Sequence, residues 1–234
     1  MSRRVWDEVD SYIEGLLIGE DEVLEAAISA SAAGGLPPIA VTPAQGKLLH
    51  LLVRVHGARR ILEIGTLGGY SSIWMGRALP AGGRLLTLEL EPHFAEVAGA
   101  NIERAGLSSL VEIQVGPALQ SLDRLCAQGG DPFDLVFIDA DKERTPEYFT
   151  RALELVRPGA VILVDNVVRD GALVDPNSAD PGVGGMRRFH ELLSREPRVS
   201  ATTIQTVGAK GYDGFTLVLF DPGGAPAHAA PASG

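Results

Sequence analysis

One short apolar run stops at two carboxylates and an ammonium. In PFDLVFIDADKERTPEYF, residues 132–149, Leu135-Val136-Phe137-Ile138 gives way to Asp139-Ala140-Asp141-Lys142. A second run, AVILVDNV, ends in Asp165-Asn166, 26 residues beyond Asp139. That is about one strand–helix–strand step, and adjacent parallel strands lie ~4.8 Å apart. Their tips would share the sheet edge where open α/β folds bind ligands. Bare carboxylates brought that close repel each other, so a positive charge belongs between them. Oxygen-only ligands, here Asp139, Asp165 and the Asn166 amide, select Mg²⁺, Mn²⁺ or Ca²⁺. His50, His56, His93, His190 and His228 show no paired ligand spacing, which argues against zinc. Aspartates at such turns ordinarily cap helices, but three at neighbouring tips exceed what capping needs. Asp141 is the one that either caps or touches a cofactor. Lys142 is a surface ion pair or a base. Beside a divalent cation an ammonium gives up its proton more readily, so Lys142 could take one from a substrate hydroxyl.

A second set lies upstream. ILEIGTLGGYSSIWMGRAL reads as strand, Gly-rich turn and helix. Gly65, Gly68 and Gly69 permit close backbone approach, and the helix opening near Tyr70-Ser71-Ser72 offers free N–H groups. The next strand, RLLTLELEP, carries Glu89 at its tip, roughly 20 residues past the loop, where a carboxylate accepts ribose hydroxyls. A nucleoside-containing cofactor follows, with an unliganded tight turn as the plainer alternative. Gly65-x-x-Gly68-Gly69 does not match G-x-G-x-x-G, which disfavours a dinucleotide. Glu63, beside the loop, would repel pyrophosphate but suits the cationic amino end of S-adenosylmethionine.

Positioning these groups takes a sheet. From Arg60 the runs RILEIG, RLLTLEL, LVEIQVG, DLVFIDA and AVILVDN alternate with helical segments, the mark of parallel strands with crossover helices. Near-continuous apolar strands predict an α/β sheet with helices on both faces. ATTIQTV and GFTLVLF flank the Gly-rich connection GAKGYDG, so the sheet is expected to end antiparallel. Upstream, Val5, Val9, Tyr12, Ile13, Leu16 and Leu17 recur at helical spacing, and EVLEAAISASAA forms a second helix stopped by Gly34-Gly35 and Pro37-Pro38. A third opens with Thr42 as N-cap, Pro43 at the first position and Gln45 closing a capping box. The expected parts are an N-terminal helical segment, 1–40, a main domain, 41–221, and a disordered Pro/Ala/Gly-rich tail, 222–234.

Composition narrows the classes. A chain of 234 residues, 45% hydrophobic and 21% charged, suits one α/β domain with a sizeable core. No apolar run approaches the ~20 residues of a membrane span, and acidic residues interrupt the N-terminus where a secretory signal would be apolar. A single cysteine, Cys126, fits a reducing cytoplasm. A net charge of −10 lacks the basic footprint of a nucleic-acid partner. A small-molecule substrate is expected.

The motifs VTPAQG, LEIGTLGGYSS, TLELEP, FIDADK, LVDNVVRDG and YDGFTL, in this order from about Ile39 to Phe220, resemble those of the cation-dependent O-methyltransferases, the group of catechol and caffeoyl-CoA O-methyltransferases. The resemblance implies a Rossmann-like, seven-stranded, mostly parallel sheet with an antiparallel last strand. It also implies S-adenosylmethionine, a divalent metal such as Mg²⁺, a phenolic substrate with vicinal hydroxyls, and a homodimer. By resemblance Val41, Glu63, Gly65, Ser71, Glu89, Ala118, Asp139 and Asp141 fall at cofactor positions. Asp139, Asp165 and Asn166 match metal ligands, and Lys142 matches the base. The chain departs where plant members carry an aromatic and an amide, having Arg169 and Asp170 instead. It departs again at Thr216, where animal catechol enzymes are acidic.

Val168–Gly185 reads as a long mobile loop whose first turn walls the acceptor pocket through Arg169 and Asp170. Ile39 is expected near the acceptor, under cover of residues 1–40. Three other readings stay open. A nicotinamide oxidoreductase would need a better phosphate loop, and a nucleic-acid or protein methyltransferase a basic face. A non-enzymatic cofactor-binding protein would lack the three metal ligands.

Overall fold

The computed structural model describes residues 3–223. Three helices come first, α1 (Arg3–Leu17), α2 (Glu22–Ala33) and α3 (Pro43–His56). The repeat follows: β1 (Arg60–Ile64), α4 (Tyr70–Gly76), β2 (Arg84–Glu89), α5 (Pro92–Arg104), β3 (Val111–Val115), α6 (Ala118–Gln128), β4 (Phe133–Ile138), α7 (Thr145–Leu155), β5 (Val156–Asp165), α8 (Pro181–Arg195), β6 (Val199–Gly208) and β7 (Gly211–Phe220). The strands form one sheet in the order β3-β2-β1-β4-β5-β7-β6. Only β7 runs against the rest, as the sequence pattern predicts. The order reverses between β1 and β4, and that switch opens a crevice at their carboxyl ends.

Alternation within the strands builds a core on each face. Leu62, Ile64, Val136, Ile138, Ile162 and Val164 meet Phe149, Met186 and Phe189 beneath α7 and α8. Ile61, Leu135, Phe137 and Leu163 point the other way, onto Leu49 and Val53 of α3 and Ile73 and Trp74 of α4. Both sides of the central strands are therefore covered, as their unbroken apolar runs require. The α2 helix belongs to this core through Leu24 and Ala27. No residue of α1 is buried. Of the tail assigned to 222–234, residues 224–234 lie outside the described residues.

Three local readings change. Thr42 does cap α3, accepting the Gln45 N–H at 3.2 Å, but the Gln45 side chain lowers the Asp165 carboxyl and leaves the capping box half made. Helix α8 starts at Pro181, capped by Asp180, so Gly184 and Gly185 are helical. A Cβ on Gly185 would lie 2.1 Å from the Lys142 carbonyl oxygen. Glycine is present there for close packing and not for a loop. The preceding segment is anchored, since Arg187 donates to the carbonyls of Ala172, Leu173 and Asp175. Finally, the strand connection written GAKGYDG shrinks to Ala209-Lys210, because Gly208 and Gly211 already pair.

Candidate active site

The carboxyl ends of β1, β2, β4 and β5 bring most of the expected residues to one edge. Asp139 follows β4 and Asp165 ends β5, with Ile138 and Val164 in register on the two neighbouring strands. Asp165 is 5% exposed. Burial pushes its carboxyl well above the usual range, the charge of Asp139 pushes it further, and Lys142 pulls it back. Asn166 follows with φ +55, a left-handed turn that gives its N–H to Asp165 Oδ1 at 2.8 Å. Lys142 lies in the turn of 3-10 helix that follows Asp141. Its Nζ reaches Asp139 Oδ1 at 2.6 Å with only 10% of its side chain exposed. The alternative of a surface ion pair for Lys142 fails on that burial. Asp141 makes no capping bond and instead accepts the Tyr148 hydroxyl.

The turn after Asn166 is held open by neighbours. Asp213 Oδ1 accepts the N–H groups of Val168 and Arg169 at 2.9 and 3.0 Å. Arg169 and Asp170 both take positive φ, 58 and 54, which non-glycine residues adopt at a cost of order 1–3 kcal/mol each. Arg169 turns one guanidinium nitrogen to Asp180 at 3.4 Å. Its Nε is buried without a partner among the described residues. Asp170 is exposed. Ile39, 65% exposed, precedes Val41, which is buried.

The Gly-rich loop is fixed from below. Glu89 is 6% exposed, so it is not a solvated strand-end charge. Its Oε2 accepts the N–H groups of Thr66 and Leu67 at 3.1 and 2.8 Å, and its Oε1 that of Glu91 at 3.0 Å. The carboxylate braces the loop. Buried Asn101 holds the Gly68 carbonyl at 2.9 Å. Gly65, at φ +101, passes so close to β4 that a Cβ would lie 2.2 Å from the Asp139 carbonyl oxygen. This contact ties the cofactor loop to the acidic edge. Glu63 is fully buried and accepts the hydroxyls of Ser71 and Ser72. Burial raises its carboxyl to about 7, against those hydrogen bonds and with a further push from Asp139. Ala118 is the first residue of α6, half-buried against the core.

Two residues outside the expected set bear on this edge. Gln45, from the start of α3, lowers the Asp165 carboxyl. Lys210, at the tip of the β6–β7 hairpin, feels the charges of both Asp139 and Asp165. Partial burial lowers its ammonium and the two carboxylates oppose that shift, although much of the residue surface is exposed. Thr216 sits elsewhere, fully buried, its hydroxyl 2.8 Å from that of Thr203, which meets His190 at 3.2 Å. Its exchange therefore leaves the acidic edge untouched.

Among the described residues no cluster of three or more His, Cys, Asp or Glu has metal-ligand spacing. The edge offers two carboxylates plus the amide of Asn166. Asp165 is buried and repelled by Asp139, which is the charge deficit a hard divalent cation fills, and all three donors are oxygen. The residues fit such a cation.

A seven-stranded sheet of this order, with helices on both faces and one antiparallel strand, is the Rossmann-like methyltransferase fold. The O-methyltransferase family matches residues 16–219, and the chain belongs to it. A catechol O-methyltransferase of Niastella koreensis is 51% identical over 219 residues, covering 94% of this chain and 99% of its own. The crystal structure of TomG from Streptomyces achromogenes, an O-methyltransferase involved in tomaymycin synthesis, was solved with S-adenosylmethionine. It superposes with a TM-score of 0.91 at 56% identity, over 94% of this chain and 99% of that one. An O-methyltransferase from Bacillus cereus, in complex with S-adenosylhomocysteine, gives 0.92 at 52% identity over 94% and 100%. The protein is an enzyme, and the oxidoreductase and non-catalytic readings fall away. No helix among the described residues is long and apolar enough to cross a membrane.

Proposed function

We propose that the enzyme moves the methyl group of S-adenosylmethionine to one hydroxyl of a catechol-like small molecule, with a divalent cation, Mg²⁺ by donor chemistry, held by Asp139, Asp165 and Asn166. The observation that carries this is the pairing of buried Asp165 with Asp139 at adjacent strand tips, beside Lys142 Nζ at 2.6 Å. When bound, the cation supplies Lewis acidity that eases ionisation of a chelated hydroxyl. Lys142 would take that proton at Nζ as the neutral amine, a form that a cation between Asp139 and Asp165 would favour over the ammonium Asp139 now holds. The oxyanion attacks the sulfonium methyl in line, and the gain comes from orientation and electrostatics. Val41, Gly65, Ser71, Ala118 and Asp141 line the cofactor cleft. Glu89 accepts the ribose hydroxyls with its remaining lone pairs, and Glu63 faces the cationic amino group.

Arg169 has an unpartnered buried Nε, which supports a role in binding an anionic substituent of the acceptor, opposite the methylated hydroxyl. Ile39 and Asp170 complete the rim. The apolar row Val9, Tyr12, Ile13, Leu16 and Leu17 on α1, with Leu17 71% exposed, supports a homodimer. The acceptor class is tested by transfer of labelled methyl to catechol and to phenol at equal concentration. Chelation predicts label on catechol and essentially none on phenol, and equal transfer to both would refute it.

Glu63 gives a pH signature. Burial lifts its carboxyl to about 7, from an ordinary 4.5. Free protein therefore loses stability as pH rises from 4.5 to about 7, because the unfolded carboxyl ionises first. A cationic ligand favours the ionised form, so cofactor binding releases a proton. Below pH 7 the S-adenosylmethionine Kd should rise by up to about tenfold per pH unit, and above it level off. Glu63→Gln should flatten the profile. A wild-type Kd constant from pH 5.5 to 8 would place the amino group elsewhere.

A further inference from the structure

Helix α1 is turned inside out. Its apolar residues Tyr12, Ile13, Leu16 and Leu17 are exposed, while Trp6, Asp10 and Glu14, one turn apart, lie half-buried against the body. Turning carboxylates inward is unfavourable unless each finds a donor. Asp10 does. Its Oδ2 accepts the Ala209 N–H at 2.8 Å, and Arg3 donates to the Ala209 carbonyl at 3.4 Å, so α1 holds both polar groups of that peptide unit. Gly208 makes room for this, since a Cβ there would lie 2.5 Å from Asp10 Oδ2. Burial raises the Glu14 carboxyl, and the Ala44 backbone pulls it back.

The hairpin so held carries Lys210 over the acidic edge. Ala209 precedes Lys210, at the tip of a hairpin that continues past the end of β5, where Asp165 pairs with Phe215. A helix with no buried residue contributes little to the core, yet it is bonded to this tip.

We infer that Asp10 is a positioning residue, through which α1 fixes the Lys210 hairpin tip beside the acceptor. The inference rests on reading the Asp139–Asp165 edge as the acceptor site. The hairpin carries none of the residues assigned to the cofactor cleft, so the effect falls on the acceptor.

The test compares Asp10→Ala, Asp10→Asn and Gly208→Ala in the full chain with Mg²⁺, S-adenosylmethionine and catechol. Asn keeps an oxygen for the Ala209 N–H, and Ala at 208 pushes the Asp10 carboxylate out. Loss of a charged hydrogen bond should raise the catechol KM about tenfold in Asp10→Ala and Gly208→Ala. Kd for S-adenosylmethionine should stay within about twofold and Asp10→Asn within about threefold of wild type. Hydrogen exchange at residues 206–212 should quicken in the two impaired variants and not in Asp10→Asn. A helix that merely buttresses would lower Tm without moving KM. An unchanged catechol KM in Asp10→Ala, or Asp10→Asn as impaired as Asp10→Ala, would overturn the inference. Should Asp10→Ala fail to fold, Gly208→Ala decides by the same readouts. If wild type transfers no methyl to catechol, the functional reading fails on its own, and unchanged exchange at 206–212 in the variants would sink the clasp separately.

Discussion

Asp165→Asn is expected to lower methyl transfer about 10²–10³-fold, the scale lost when one electrostatic stabiliser of a developing oxyanion is removed. The same variant should fold at least as stably as wild type. Asp165 is buried beside Asp139, and its carboxyl titrates above the usual range. Folding therefore works against its ionised form at neutral pH. The neutral amide keeps the shape and still accepts the Asn166 N–H, now made to Asp165 Oδ1. Relief of order 1 kcal/mol would raise Tm by about 2–4 °C in a chain of this size. The sign follows from the raised value. The advantage of Asn is full above the folded-state titration and shrinks as pH falls through it. It vanishes where the carboxyl is protonated in folded and unfolded chains alike. S-adenosylmethionine affinity should move by less than about twofold, since Asp165 lies across the edge from the Gly-rich loop. Turnover at fixed saturating cofactor, thermal melts from pH 5 to 8, and cofactor titration check these together. Activity lost along with a fall in Tm would make Asp165 a structural residue.

What the residues disclosed in advance follows a physical line. The tips of β4 and β5 were legible because an apolar run that ends on carboxylates is unfavourable without a reason, and the spacing supplied one strand–helix–strand step. Glu89 was placed correctly at the loop, but its three backbone partners were not readable, since hydrogen bonds to a loop leave no periodic trace. The start of α8 was missed because Gly184-Gly185 looks like a loop. Only the Lys142 carbonyl, pressed against Gly185, explains a glycine pair inside a helix. The amphipathic period of α1 was plain, yet periodicity gives a stripe and not its direction. A stripe of Leu and Tyr is expected to face the core, and here it faces out, with Asp10 bonded to the body instead. Lys210 was hidden by its setting, a two-residue turn among glycines, where chemistry is decided by how far the hairpin overhangs the edge. Gln45 reads as the second half of a capping box, and the structure shows only its N–H bonded to Thr42.

Under the proposed function, Asp139, Asp165 and Asn166 would hold a divalent cation, which would ease ionisation of the acceptor hydroxyl. The cation's removal should therefore cost more than any single substitution outside the ligand set. Lys142 already lies on Asp139 and Lys210 feels the charges of the pair, so the protein can partly neutralise its own edge without metal. It should stay folded and still bind S-adenosylmethionine. Neither ammonium chelates two vicinal oxygens, and only a multivalent oxygen-seeking ion does so. Loading should also stabilise the fold, by about 2.7 kcal/mol at a hundred times the metal Kd. The direct measurement is transfer of labelled methyl from S-adenosylmethionine to catechol by protein stripped with EDTA, before and after Mg²⁺ is restored, with Tm followed in parallel. The account predicts transfer near the uncatalysed rate in EDTA, recovery with added Mg²⁺, and a Tm that rises with it in wild type but not in Asp165→Asn. Full transfer by the stripped protein, with Tm indifferent to Mg²⁺, would contradict it.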